Sequence, residues 1–479
     1  MRSKPRERHG ALPMRVVADT NILVSGLLWR GSPRKILNDS ASHIEHTVAL
    51  TTHVTAACTQ STDAVEPRRS FLTPEDIYRL IKEQIAPRFP EFARCRSTTQ
   101  LIASPVYRAL ETAVRTVLES PEGGDFTAKP APARDRYRFL AWNLERGIEF
   151  DRQLEAFRNH DYLKTCDVLL LTETDLGMAR SGNRAVAQDL ARELGLHYAF
   201  VPCYLNLTKG SGVEYHAEGE NELGLHGNAI LSRYPIRRVH PIHLENGIDK
   251  MAGREKRLGR QTALAADIDF PNYSVTAVAV HLDANSSQRH RHNQMRDVLD
   301  GLDTDRPVIV GGDWNTSTYN SSRAFPAIWG FWLRVLMGVD NVIRNHYLHP
   351  YNRFEKDLFN LLESRGFDYK ACNRLGERTI SYDADDPKTR QNLGEWVPGW
   401  CFAFMRWSLR NHGGKCPLKI DWFATQGISC EQPVVIHDLR EGRRTPLSDH
   451  DAIGVDVRID DFRLPIETQS RNSIGNRQS

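Results

Sequence analysis

Asp313 and Asn315 stand two residues apart behind the apolar run Pro307-Val308-Ile309-Val310 and the pair Gly311-Gly312. An acid and an amide at the end of a buried strand can orient a water, take its proton and donate to an anionic oxygen. The paired glycines are expected to let the backbone approach a bound group closely. Other apolar runs end in the same way. Leu140-Ala141-Trp142 leads to Asn143, Leu169-Leu170-Leu171-Thr172 to Glu173, and Val278-Ala279-Val280 to His281. Ser448-Asp449-His450-Asp451 stands just before the apolar run that opens at Ala452. Each residue alone has a plain reading as a solvated strand end or a satisfied core group. Together they supply what holding a cation, placing a water and stabilising developing negative charge require.

Positioning these groups needs rigid elements. From Arg136 onward, apolar or β-branched runs predict strands at 137–143, 168–172, 228–232, 262–268, 275–281, 307–310, 419–424 and 452–459. Helical spacing between them predicts helices at 153–157, 185–194 and 288–299. Strands that repeatedly end in polar residues imply an α+β fold of packed sheets whose ends converge on one site. Ahead of them, Pro74-Glu75-Asp76 opens a helix carrying Ile77, Leu80, Ile81 and Ile85, and Leu110, Val114 and Val117 mark another. The stretches 47–70 and 121–134 read as linkers. The expected units are 1–46, a linker and mainly helical extension at 47–133, a catalytic unit at 134–460, and a disordered tail at 461–479.

The 479 residues carry 63 Lys+Arg against 60 Asp+Glu, a net +3, so a nucleic acid would have to meet a local basic patch. Eight cysteines without paired short spacings argue against a zinc site or a disulfide framework and fit a reducing cytosol. No membrane span is expected: the apolar stretch 324–339 is interrupted by Pro326 and Arg334. Arg15-Val16-Val17-Ala18-Asp19-Thr20-Asn21 resembles the opening of a PIN-domain ribonuclease. The further carboxylates of such a domain do not follow, so 14–40 is expected to be an incomplete fragment.

Residues 136–460 resemble the endonuclease/exonuclease/phosphatase superfamily. The strand ends above carry the resemblance, together with Gly227-Asn228-Ala229-Ile230-Leu231-Ser232-Arg233, Gly259-Arg260-Gln261 and Lys419-Ile420-Asp421-Trp422-Phe423, all in family order. It implies a four-layer sandwich, two mixed sheets flanked by helices, that hydrolyses a phosphate ester with Mg²⁺ or Mn²⁺. By that resemblance Glu173 holds the cation, with Asn143 and Asp449 beside it or just behind its ligands. Asp313 orients or deprotonates the attacking water, and Asn315 donates to a phosphate oxygen or helps a second metal. His281 and His450 contact the phosphate, and Asp421 holds the His450 imidazole in one tautomer. Arg233 and Arg260 are expected to be structural.

The chain departs from the family between Asn315 and Asp421. Ile328, Phe331, Trp332, Val335, Leu336, Val339, Val342 and Ile343 predict one amphipathic helix over 325–346, and 358–365 a second ending at Gly366. Trp396, Trp400, Phe402, Phe404 and Trp407 are expected to be buried against that insertion, and 204–222 to be a mobile loop at the mouth of the site. Three functions stay open. A nuclease would draw basic residues from Arg289-His290-Arg291-His292. A lipid or small-molecule phosphoesterase would use the aromatic segment as a rim, and an inactive binding module would lack a ligand. The nuclease is favoured.

Overall fold

The computed structural model describes residues 73–458 apart from 304–305, 318–319, 321, 323, 384, 386–402, 404–405 and 444. The PIN-like fragment, the 461–479 tail, Trp396, Trp400, Phe402 and Phe404 lie outside the described residues. In chain order the strands begin with β1 (Glu122–Asp125), β2 (Tyr137–Arg146), β3 (Val168–Leu176), β4 (His197–Asn206) and β5 (Leu225–Ser232). They continue with β6 (Ile236–His243), β7 (Arg257–Gly259), β8 (Thr262–Phe270), β9 (Tyr273–His281) and β10 (Val308–Asp313). Last come β11 (Ile380–Asp383), β12 (Lys415–Leu418), β13 (Asp421–Gln426), β14 (Ser429–Ile436) and β15 (Ala452–Arg458).

One sheet runs β1-β4-β5-β3-β2-β15-β14, with β7 beside β4; the second runs β13-β10-β9-β8-β6. β2–β3 and β9–β10 are parallel, whereas pairs such as β3–β5, β15–β2 and β10–β13 are antiparallel, so both sheets are mixed. Side-chain alternation along the strands builds the layers. In β2, Tyr137, Phe139 and Ala141 enter the core between the sheets, and Leu140, Trp142 and Leu144 face the helices outside. In β9, Val275, Ala277 and Ala279 point inward, and Val278 and Val280 outward.

The outer face of the first sheet is covered by α1 (Pro74–Leu80), α2 (Pro105–Glu119), α3 (Phe150–Asn159) and α4 (Val186–Leu194). α5 (Gln288–Asp300) and α7 (Lys356–Ser364) cover the second. The helical extension is thus one of the covering layers. Its starts are capped: Thr73 and Asp76 form a reciprocal capping box, and Ser104 accepts from the Tyr107 N–H. The 324–420 insertion has its own small core of Val342, Ile343, Tyr347, Ile380, Leu409, Cys416, Leu418 and Ile420 around the β11–β12 pair.

Several elements differ from the sequence expectation. β4 carries Pro202 in mid-run, a residue that argues against a strand, but Pro202 sits at a bulge in the β4–β5 ladder. β1 lies inside the expected linker. A Cβ on Gly123 would stand 2.9 Å from the Tyr198 carbonyl, and one on Gly124 2.7 Å from its ring, so the glycines permit the strand's close approach to β4. The 325–346 helix is broken: α6 (Ala324–Leu336) stops before Gly338, whose φ of +87° no helix continues. Trp407 is 60% exposed, contrary to its expected burial, and Trp329 of α6 is 66% exposed.

Candidate active site

Strand parity brings the predicted residues together. Asn143 continues the inward series of Tyr137, Phe139 and Ala141, and His281 that of Ala277 and Ala279. Asp313 shares the parity of Ile309, and Asp421 that of Phe423, both inward. Asp313 pairs with His281 on one side and with Asp421 on the other, so three functional groups stand in one row across β9, β10 and β13. His450 arrives from the other sheet, just ahead of β15, which pairs with β2.

Glu173 has the wrong parity. Val168 and Leu170 face inward, and Leu169 and Leu171 face the outer helices, so a regular strand would send Glu173 outward. The β3 register shifts between Leu171 and Thr174 against β5, and the β2–β3 register shifts between Asn143 and Arg146. Glu173 takes φ +53° and Arg146 φ +69°, left-handed values that non-glycine residues seldom adopt. A bulge of this kind re-aims a side chain, and backbone strain of this kind collects at functional sites. Glu173 Oε1 consequently lies 3.9 Å from His281 Nε2.

Asp313 is the hub. Its Oδ2 lies 3.5 Å from His281 Nε2 and 3.7 Å from His450 Nε2, and it accepts from Asn143 Nδ2 at 3.3 Å and Asn315 Nδ2 at 3.2 Å. Its Oδ1 accepts from the Asn315 N–H at 2.8 Å, and Asn315, at φ +49°, also donates to the Leu282 carbonyl. On the far side of the imidazole, His450 Nδ1 is 2.9 Å from Asp421 Oδ2. Trp142 Nε1 donates to the His450 carbonyl and Ser448 Oγ to that of Asn143, which ties the 448–450 turn to β2.

The charges interact strongly. Burial pushes the Asp313 carboxyl above the usual carboxylate range; His450 offsets this and Asp421 adds to it. Burial disfavours a charged His450, but Asp421 and Asp313 outweigh it and raise its affinity for a proton. Burial lowers His281 to about 4 despite Glu173 beside it, so it is neutral at pH 7. Burial opposes ionisation of Glu173, yet Arg146 and the nearby histidines hold the carboxyl well below its ordinary range. Among the described residues, Asp313, Asp421 and His450 offer ligand atoms within 4.8 Å of one another. The Asp421–His450 contact already uses the atoms that face each other. Glu173 lies outside that cluster, with Arg146 3.6 Å from its Oε2.

Some expected features are placed differently. Asp449 is exposed at the rim, where its N–H donates to Glu145 Oε2; its charge still reaches His450. The glycine pair serves packing within and between the sheets. A Cβ on Gly311 would meet the Phe423 ring at 2.6 Å, and one on Gly312 (φ +136°) the Val280 carbonyl at 2.2 Å. Arg291 cannot serve a nucleic acid, because it is fully buried against Glu355 at 2.5 Å. Of that basic run only Arg289 is classed as exposed. Arg233 does serve structure, donating to the Cys166 and Lys164 carbonyls. The 204–222 stretch is tied down: Arg180 holds Glu214 at 3.0 Å, and Asn221 donates to the Asn206 and Thr208 carbonyls. Sequence reading missed Arg146 and Glu214. The closeness of Arg146 to Asn143 was the available signal, but its aim depends on the bulge.

The endonuclease/exonuclease/phosphatase family model matches residues 140–427, well over half of the chain. The chain belongs to this family. Membership makes it a metal-dependent hydrolase of phosphate ester bonds. No curated protein matches its sequence. Among solved structures it is similar to an endonuclease/exonuclease/phosphatase from Beutenbergia cavernae, with 16% identity, TM-score 0.41, and coverage of 68% of this chain and 72% of the other. It is also similar to the human Nocturnin catalytic domain (16%, TM-score 0.37, 71% and 97% coverage). A third is a 3′-5′ exonuclease from Neisseria meningitidis (14%, TM-score 0.37, 66% and 98% coverage). Among the described residues no helix is long and apolar enough to cross a membrane.

Proposed function

We propose that this hydrolase cleaves a phosphodiester, nucleic acid being the favoured substrate, at the group formed by Asn143, Glu173, His281, Asp313, Asn315, Asp421 and His450. The observation that carries the reading is the contact set of Asp313. One buried carboxylate meets two imidazoles and two amides drawn from both sheets. The donor set fits a hard divalent cation, Mg²⁺ or Mn²⁺, because Glu173, Asp313 and Asp421 crowd negative charge that burial makes costly. Glu173 would hold it, with Asn143 adjacent and Asp449 at the rim. When bound, such an ion neutralises phosphate charge and acidifies water.

The chain's own groups divide the remaining work. Asp313, raised towards neutrality by burial, takes the proton of the attacking water. Asn315 and Asn143 keep that carboxylate aimed. His450, protonated between Asp421 and Asp313, donates Nε2–H towards the developing phosphate charge. Neutral His281, whose Nε2 lies 3.5 Å from Asp313 Oδ2, supplies a second donor. The nuclease reading has lost Arg291 as a phosphate contact and draws on exposed Arg289. A lipid or small-molecule phosphoesterase is the second reading, favoured by exposed Trp329 and Trp407.

The test is hydrolysis of single-stranded DNA, RNA, abasic duplex, sphingomyelin and an inositol polyphosphate with Mg²⁺ or Mn²⁺. Asp313→Ala and His450→Ala should each lower turnover by orders of magnitude on whichever ester is cleaved while the circular dichroism spectrum is kept. Turnover unchanged in either variant removes that residue from the mechanism.

A further inference from the structure

Arg146 stands between two carboxylates at the edge of the site. Its Nη1 is 3.6 Å from Glu173 Oε2 and 3.3 Å from Glu214 Oε1. The left-handed backbone at Arg146 and Glu173 aims both side chains at each other across the β2–β3 bulge. Neither contact is a short bidentate pair, so the guanidinium fork is not consumed by either acid. The Arg146 side chain also keeps 22% exposure, against 1% for Arg180 behind it.

Glu214 is built into this position. Its Oε2 accepts from Arg180 Nη1 at 3.0 Å, and Arg180 is itself held by Asp175 at 2.8 Å and Glu255 at 2.7 Å. A Cβ on Gly210 (φ +145°) would lie 2.4 Å from that same Glu214 oxygen, so the segment leaves space for this carboxylate. A chain of alternating charges thus runs from Glu173 through Arg146, Glu214 and Arg180 to Asp175 and Glu255.

We infer that Arg146 is a phosphate-binding residue that shuttles between Glu214 and the substrate, and that Glu214 thereby tunes the affinity of the site for its cation. The inference rests on Glu173 being the cation ligand. A cation on Glu173 repels a guanidinium already beside that carboxylate, so Arg146 weakens cation binding. Glu214 lessens the repulsion by neutralising Arg146 and drawing it aside. An arriving phosphate reverses the balance, because its oxygens match the planar guanidinium and bring negative charge to both positive groups.

The test is calorimetric titration of the full chain with Mn²⁺ alone and then with inorganic phosphate in the presence of Mn²⁺. Arg146→Ala should bind Mn²⁺ tighter, on the order of tenfold, and phosphate weaker by a similar factor. Arg146→Lys should restore the Mn²⁺ affinity of the parent but only part of the phosphate affinity, since an ammonium lacks the fork. Glu214→Gln should weaken Mn²⁺ binding, and that effect should vanish when Arg146→Ala is also present. Mn²⁺ binding that depends on Glu173 but is indifferent to Arg146→Ala overturns this inference alone. Binding that survives Glu173→Gln overturns the ligand assignment and this inference with it.

Discussion

Asp421 opens β13 of one sheet and His450 stands just ahead of β15 of the other, and they meet with Asp421 Oδ2 2.9 Å from His450 Nδ1. This contact leaves His450 Nε2 facing Asp313 at 3.7 Å, so one carboxylate orients the ring and supports its charge while the other faces its second nitrogen. Thr379 strengthens the arrangement by accepting the Asp421 N–H at 3.1 Å.

Asp421→Asn should retain the fold and lose turnover, because without the Asp421 charge His450 holds its proton less firmly and, once neutral, can take the wrong tautomer beside an amide. The expected fall in kcat is about 10²–10⁴-fold with KM little changed. Steady-state kinetics on the preferred ester checks it; a kcat within a factor of three of the parent would mean that Asp421 has no part in orienting His450.

Gly312→Ala should destabilise the protein by more than about 3 kcal/mol. The added methyl would lie 2.2 Å from the Val280 carbonyl, in a backbone that L side chains avoid. Urea unfolding reads the loss directly. Parent-like stability with reduced substrate binding would instead support a glycine that makes room for a ligand.

The Arg291–Glu355 pair is completely buried. Removing one partner strands the other charge, so Glu355→Gln should cost about 3–5 kcal/mol. A change below 1 kcal/mol in denaturant titration would show that the pair contributes little to the α5 layer.

Asp283 gives a pH-dependent signature. Burial opposes its ionisation, but Lys250 at 2.7 Å and the N–H groups of Gly247 and Asn285 lower it from 3.8 to about 2. A carboxylate depressed on folding stabilises above its unfolded value and loses that contribution as pH falls through the folded one. The stability gap between the parent and Asp283→Asn should therefore be full above pH 5 and shrink as pH falls from about 4 towards 2. A gap constant over that range would contradict the pairing.

The layers were legible because apolar runs such as 168–172 and 275–281 fall within the real strands, and the ends of those runs name most of the site. Bulges were not legible. Glu173 was identified by its place after a strand, yet a regular β3 would turn it away from His281. Arg146 and Glu214 escaped notice for the same reason, since their meeting depends on a register shift and on a Gly210 turn. β4, with Pro202 at its bulge, lies outside the expected strands, and the glycines of β1 read as linker. Arg291 shows the opposite error: a basic run read as a source of nucleic-acid contacts contains a core ion pair.

The most direct measurement is the rate of ester hydrolysis against Mg²⁺ concentration, after chelation, for the parent and for Glu173→Gln. Turnover by the parent should vanish on chelation and return with Mg²⁺, while Glu173→Gln stays inactive at concentrations that saturate the parent. Equal rates and equal Mg²⁺ dependence in the two proteins would contradict the account.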